Sequence, residues 1–273
     1  MDSVCQHEEH QLTAAKADKY ALYIEALQDP DADLLFVDQI YQQQNGVLPS
    51  SLREDFCGTA AISCAWIRRR SENRAVAVDI DPEPLAWCRI HLLEALGPDE
   101  AKRIDLIEAD VRHVTTDPAD VIFVSNSSIF LLKERGELTD YVRRCRSMLG
   151  TGGIFVADVY AGPEAQRVGI DRIECDGFSC LWEQAKFNAV ANESFNRVHF
   201  VFPDGTRLTD AFTYDMRIWS PAELRDALIE CGFSCTSTFT KANREKAVRD
   251  IEPPRCECVE VSGTWDAYLV GLS

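Results

Sequence analysis

Apolar positions recur with helical spacing near the start of the chain. Tyr20, Leu22, Tyr23, Ala26 and Leu27 share one face, and the Asp29-Pro30 step stops the run because proline disfavours the helical backbone in the residue before it. A second helix is predicted from about Ala32 to Gln44, closed by Asn45-Gly46. From Ser51 to about Tyr160 the rhythm changes. Short runs rich in β-branched residues, Leu52–Asp55, Ala75–Asp79, Ile104–Glu108, Val121–Ser125 and Ile154–Val159, alternate with helical stretches at about 59–70, 83–96 and 134–148. Strands separated by helices build βαβ units. The pattern therefore predicts an α/β fold with a parallel sheet, whose ligand site lies at the carboxyl ends of the strands.

After Tyr160 the pattern becomes strand-like, with Asp-Gly turns at 176–177 and 204–205. Arg197–Phe202 and Arg207–Tyr214 flank Pro203-Asp204-Gly205-Thr206 and read as a hairpin, so residues 162–215 are a β-rich insertion. Ser220-Pro221-Ala222-Glu223 carries the signature of a capping box, and Cys231-Gly232 ends the helix it starts. Strands near Phe233–Phe239 and Val259–Leu269 complete the chain. No internal repeat is visible. The expected division is an N-terminal helical segment, residues 1–48, ahead of one domain at 49–273.

Composition narrows the function. The 273 residues carry 45 Asp plus Glu against 28 Lys plus Arg, a net charge of −17. Such a surface repels phosphate backbones, so nucleic acid is not an expected partner. The clusters Arg68-Arg69-Arg70 and Arg143-Arg144 read as solvated helix faces. Eleven dispersed cysteines without a CxxC pair read as reduced thiols, and no stretch resembles a secretory signal or a membrane span. A cytoplasmic location is expected. His7-Glu8-Glu9-His10 has two histidines at helical spacing, but no downstream Cys/His pattern completes a zinc site, and no metal is expected.

The chemistry collects at strand ends. Leu52-Arg53-Glu54-Asp55-Phe56-Cys57-Gly58-Thr59-Ala60 reads as a strand, a tight loop and a helix start, where small residues let a ligand approach the backbone. Asp79 ends an apolar strand 21 residues after Gly58, where a carboxylate can accept from ribose hydroxyls. Ile80 follows it, and Asp81 reads as the N-cap of a helix opening at Pro82. Asp110 closes the next strand and can accept from an adenine amino group, while the N–H of Val111 donates to the ring. Ser125 and Asn126 end the fourth strand with small polar groups that can meet a cofactor or the transferred group.

This series resembles the class I S-adenosylmethionine-dependent methyltransferases. The family's first motif commonly runs acid, two residues, Cys-Gly-Thr-Gly. Glu54 stands three before Cys57, and Cys57-Gly58-Thr59 match in order. Asp79 matches the ribose-holding acid and Asp110 the adenine-holding one. Met148–Val156 is similar to the run entering the fifth strand, and Arg217–Leu224 with Cys231-Gly232-Phe233 resembles the late helix and sixth strand of small-molecule members. The resemblance spans about residues 50–160 and 212–270, and implies a Rossmann-like seven-stranded, mostly parallel sheet with helices on both faces. It also implies S-adenosyl-L-methionine as donor, S-adenosyl-L-homocysteine as product, and methyl transfer to an N or O atom of a small molecule. The chain departs from the pattern at Phe56, Ala60 and Thr151, where the family commonly has Gly, Gly and Pro. These departures leave open a second reading, a non-catalytic regulator that binds the same nucleoside. A dinucleotide-binding dehydrogenase fits less well, because Phe56–Ala61 keeps one glycine of the expected three.

In-line methyl transfer depends on alignment, and an O or N acceptor often needs a base. His199, in an apparent strand between Val198 and Phe200, is a candidate base, or equally a histidine satisfied within a sheet. Glu183 beside Trp182 is a candidate for holding a cationic amine, with the indole adding a cation–π contact. Tyr214 and Arg217 are further substrate candidates, and Tyr20 and Arg53 are candidates for the cofactor carboxylate. The N-terminal helices are expected to help close the cofactor site. Association as a homodimer is left open.

Overall fold

The computed structural model describes residues 12–241 and 263–273. His7–His10, Cys256, Cys258 and the start of the last predicted strand lie outside them. Among the described residues no helix is long and apolar enough to cross a membrane.

Two helices open the described chain, α1 (Lys19–Leu27) and α2 (Pro30–Asn45). Asp18 caps α1 by accepting from the N–H groups of Tyr20 and Ala21, and Asp29 caps α2 through Ala32. Gly46, at φ 74°, ends α2 in the left-handed conformation that glycine adopts without strain. The alternating region folds as β1 (Ser51–Asp55), α3 (Ala61–Arg69), β2 (Arg74–Asp79), α4 (Pro82–Cys88), α5 (Pro98–Ala101), β3 (Ile104–Glu108), β4 (Ala119–Val124), α6 (Arg135–Ser147) and β5 (Leu149–Ala161). The insertion forms four strands: β6 (Gly169–Cys175), β7 (Phe178–Asn188), β8 (Glu193–Val201) and β9 (Arg207–Arg217). Helix α7 (Pro221–Glu230) and strands β10 (Cys235–Thr240) and β11 (Trp265–Leu272) complete the fold.

The main sheet has seven strands in the order β10-β11-β5-β4-β1-β2-β3. Strands β1 to β5 pair in parallel, and β11 runs antiparallel to both of its neighbours. Successive side chains point to opposite faces. Leu52, Ala77, Phe123 and Val156 therefore pack under α2 and α3, while Ile122, Phe155 and Val78 pack under α6 and α7. Burial on both faces explains why these strands read as nearly continuous apolar runs. The four insertion strands form a separate antiparallel sheet, and its inner face buries Cys180, Val198 and Phe200 against Leu22 of α1.

The boundaries moved where the backbone is unusual. The helix expected from residue 59 starts at Ala61, because Ala60 sits at φ 53°. The helix expected over 83–96 is α4 followed by a π-helical turn at Arg89–Leu93. Strand β5 begins at Leu149, five residues earlier than expected: Leu149 pairs with Ala119, residues 150–153 bulge out of the ladder, and pairing resumes between Ile154 and Val121. The capping box at α7 forms as read: Ser220 Oγ accepts from Glu223 N at 3.2 Å, and Ser220 N donates to Glu223 Oε2 at 2.8 Å.

Candidate active site

The first loop crosses the carboxyl edge of the sheet between β1 and α3. Cys57 N donates to Val78 O at 3.0 Å, which ties the loop to β2. Gly58 N donates to Asp79 Oδ2 at 2.7 Å, and Asp81 N donates to Asp79 Oδ1 at 2.9 Å. Asp79 thus organises the loop from the neighbouring strand. Burial raises its carboxyl above the usual range, against the stabilising backbone N–H groups. A Cβ added at Gly58 meets nothing within 4 Å, so the loop borders open space. Phe56 and Ala60, where the family pattern has glycine, sit at φ 55° and 53°. The backbone keeps the path that glycine favours, and each non-glycine residue bears about 1–2 kcal/mol of strain there. Asn126 and Ser127, at φ 52° and 55°, repeat the feature at the end of β4. The left-handed residues at these two strand ends concentrate strain at the edge where α/β sheets bind ligands.

Glu54 is fully buried on the α3 side of β1. Its Oε2 accepts from Ser63 N at 2.9 Å and Ser63 Oγ at 2.5 Å, while its Oε1 is buried without a hydrogen-bond partner among the described residues. Burial, with Asp79 and Asp33 nearby, pushes this carboxyl up to about 7. One carboxylate oxygen is thus left unmatched beside two further acids.

Asp110 follows β3 in the loop beside Asp79, where Ala109 N donates to Asp79 O at 2.9 Å. Both carboxylate oxygens of Asp110 accept from Arg112, with Nη2 at 2.7 Å, and this fork holds the carboxyl below its usual range. Val111 is buried behind it. Ile80, beside Asp79, is 65% exposed, an apolar surface on the same edge. Ser125 is buried at the end of β4, and Asn126 and Ser127 reach a cavity of about 740 Å³. Trp182 from β7 and Tyr23 from α1 line the same cavity, with Asp158 of β5 across from them. Trp182 stacks on Tyr214 at 5.7 Å between ring centroids, and the Tyr214 and Tyr23 hydroxyls are hydrogen-bonded. Burial pushes Tyr23 up to about 12.

Five expected site residues fall elsewhere. Arg53 is fully buried on the α6 side of β1. Its Nε donates to Asp55 Oδ1 at 2.8 Å and its Nη1 to Thr116 Oγ1 at 3.1 Å, so its guanidinium braces the core. Tyr20 packs between Trp87 and Phe212, and its hydroxyl faces the Glu83 carboxylate of the chain itself instead of a cofactor's. His199 and Glu183 share the face of the insertion sheet opposite Trp182 and Gln184, because Leu181 pairs with His199 and Trp182 pairs with Val198. They bond each other at 3.1 Å, with Asp210 N donating to His199 Nδ1 at 2.9 Å. They are a cross-strand pair on the outer face. Arg217 donates to Lys133 O at 3.0 Å and lies 3.7 Å from the Trp219 ring centroid, which makes it a brace for the loop after β4. Tyr23 and Asp158 line the cavity without a signal in the sequence. Tyr23 reads as one more apolar helical position, and Asp158 falls inside an apolar strand.

No protein-family model and no curated protein matches the sequence. Solved structures do match. The sugar N-methyltransferase KedS8 from Streptoalloteichus sp ATCC 53650 is 17% identical over 100% of this chain and 97% of its own, with a TM-score of 0.64. An S-adenosylmethionine-dependent methyltransferase from Clostridium acetobutylicum ATCC 824 is 15% identical over 93% and 97%, with a TM-score of 0.67. CalS10 from Micromonospora echinaspora, an amino pentose methyltransferase solved with S-adenosylmethionine bound, is 15% identical over 92% and 95%, with a TM-score of 0.63. With the strand order, these likenesses define the fold as that of the class I S-adenosylmethionine-dependent methyltransferases.

Proposed function

We propose that the chain is an S-adenosylmethionine-dependent methyltransferase acting on an N or O atom of a small molecule. The observation that carries this reading is Asp79, which holds the Gly58 loop by its N–H while the space beside that loop stays open. Asp79 would take the ribose hydroxyls, since each carboxylate oxygen keeps a second lone pair after accepting from a backbone N–H. Asp110 would take the adenine amino group, Val111 N would donate to the ring, and Ile80 would cover one face of the base. Glu54 Oε1 would receive the ammonium of the methionine part. When bound, the sulfonium supplies an electrophilic methyl group. The chain's own part is alignment and exclusion of water, carried by the strained strand ends and by α1 and α2 closing over the sheet edge. The likeness to a sugar N-methyltransferase and to an amino pentose methyltransferase supports a small-molecule acceptor. This reading requires no metal, and it takes the cytoplasm as the place of action.

The test is calorimetric titration of S-adenosyl-L-homocysteine into the wild type and Asp79→Asn. Loss of the charged acceptor weakens binding by about 1–3 kcal/mol. Equal affinities would remove the basis of the assignment. Transfer of a labelled methyl group onto a metabolite pool then separates an enzyme from a silent binder.

A further inference from the structure

Arg112 grips Asp110 with three of its donors. Its Nε lies 3.0 Å from both carboxylate oxygens, its Nη2 donates to Oδ2 at 2.7 Å, and its backbone N donates to Oδ1 at 2.9 Å. The remaining arm, Nη1, donates to Glu137 Oε1 at 2.7 Å. Glu137 stands in the first turn of α6, so the grip is anchored outside the loop that carries Asp110. The backbone of that loop is fixed independently. Val111 is buried in the core, and the N–H groups of His113 and Val114 donate to Asp110 O at 2.9 and 3.1 Å. What Arg112 adds is the orientation of the carboxylate, whose terminal torsion is otherwise broad. Stability gives little reason for the arrangement. The Arg112 and Glu137 side chains are 39% and 42% exposed, and ion pairs at that exposure contribute little to folding. His113, the other basic side chain near Asp110, lies 4.0 Å away, beyond hydrogen-bond reach.

An ionised carboxylate only accepts hydrogen bonds. Held in one plane, it tells an amino group from an oxo group at the same ring position. The amino group donates to it, and the oxo group meets it lone pair against lone pair. A carboxylate free to turn loses that contrast, because a 6-oxo purine carries a ring N–H that a rotated carboxylate can accept. We propose that Arg112 is a positioning residue that, by pinning Asp110 to α6, makes the site select a 6-amino over a 6-oxo purine nucleoside. This deepens the proposed function and rests on its placing of the base at Asp110. Arg112 acts through Asp110 and touches no reacting atom. Lysine cannot replace it, since an ammonium carries the charge without the planar fork that sets the carboxylate plane.

The test titrates S-adenosyl-L-homocysteine and its 6-oxo analogue, S-inosyl-L-homocysteine, into the full chain by calorimetry. The wild type is expected to prefer the adenosyl compound by about 100-fold, the scale of a buried polar mismatch. Arg112→Gln and Arg112→Lys should both narrow the preference to about tenfold, mainly through tighter binding of the inosyl compound. Asp110→Asn, whose amide can donate to an oxo group, should remove the preference. A wild type without preference, a preference kept in full by Arg112→Gln or by Arg112→Lys, or an equal loss of affinity for both compounds in the two variants would overturn the inference. Removal of the preference by Asp110→Asn alone would do the same, leaving Asp110 as the reader of the base without Arg112 to position it. Failure of S-adenosyl-L-homocysteine to bind the wild type would instead overturn the proposed function, and this inference with it.

Discussion

If Glu54 receives the ammonium of the donor as proposed, cofactor binding should depend on pH. Its carboxyl titrates at about 7 because it is buried beside Asp79 and Asp33, with only Ser63 donating to it. An ammonium placed at Oε1 needs the ionised form. If the free protein carries the proton below pH 7, the competent fraction is about one half at pH 7 and about 3% at pH 5.5. The association constant of S-adenosyl-L-homocysteine should then rise about 15-fold between those pH values, or ~1.6 kcal/mol, with up to one proton released on binding at the acid end. Calorimetry at several pH values, in buffers of different ionisation enthalpy, reads both quantities. Asp79 is also raised, which adds a smaller trend of the same sign, so the decisive comparison is Glu54→Gln. That variant should bind more weakly at pH 7 and lose most of the slope. An equal slope in wild type and Glu54→Gln would refute the placement of the ammonium. The free protein should show the linked effect on stability. A carboxyl raised in the folded state holds a proton that the unfolded chain releases, so this group's contribution falls as pH rises from about 4.5 through 7.

Arg53→Ala leaves Asp55 as an uncompensated buried charge and should cost about 3–5 kcal/mol in urea unfolding, while S-adenosyl-L-homocysteine affinity of the folded fraction stays unchanged. His199→Ala should leave methyl transfer within about twofold, since the imidazole faces away from the cavity; a loss beyond about a hundredfold, the scale of a missing general base, would restore it to the mechanism. Ala60→Gly relieves a left-handed backbone but removes a buried methyl and adds chain entropy, so its unfolding free energy should change by less than about 1 kcal/mol; a loss above about 2 kcal/mol would show that the strain argument is misplaced.

The order of strands and helices between Ser51 and Tyr160 was legible because each step is local. Apolar runs of strand length, helical periods and the capping boxes are set by near neighbours. The strand-end acids were legible for the same reason, since the end of a strand and the loop after it are adjacent in sequence. Asp79 stands at the sheet edge, where it accepts from Gly58 N. Sidedness was not legible. An alternating strand has two faces, and His199 and Trp182 differ only in which of them packs inward, which depends on how the four-stranded sheet docks against α1. Arg53 shows the same limit, because its position on β1 gave no sign that α6 would cover it.

By itself, then, the chain of residues determined the α/β alternation, its caps and the carboxylates at the sheet edge, all products of short-range periodicity. The cavity beside Asn126 and Ser127 was decided only in three dimensions. Asp29, Asp158, Asp171 and Asp266 come from a helix cap, β5, β6 and β11, 237 positions apart at the extremes. No spacing rule links them, and their common charge becomes a property of one surface only when the insertion folds back over the sheet.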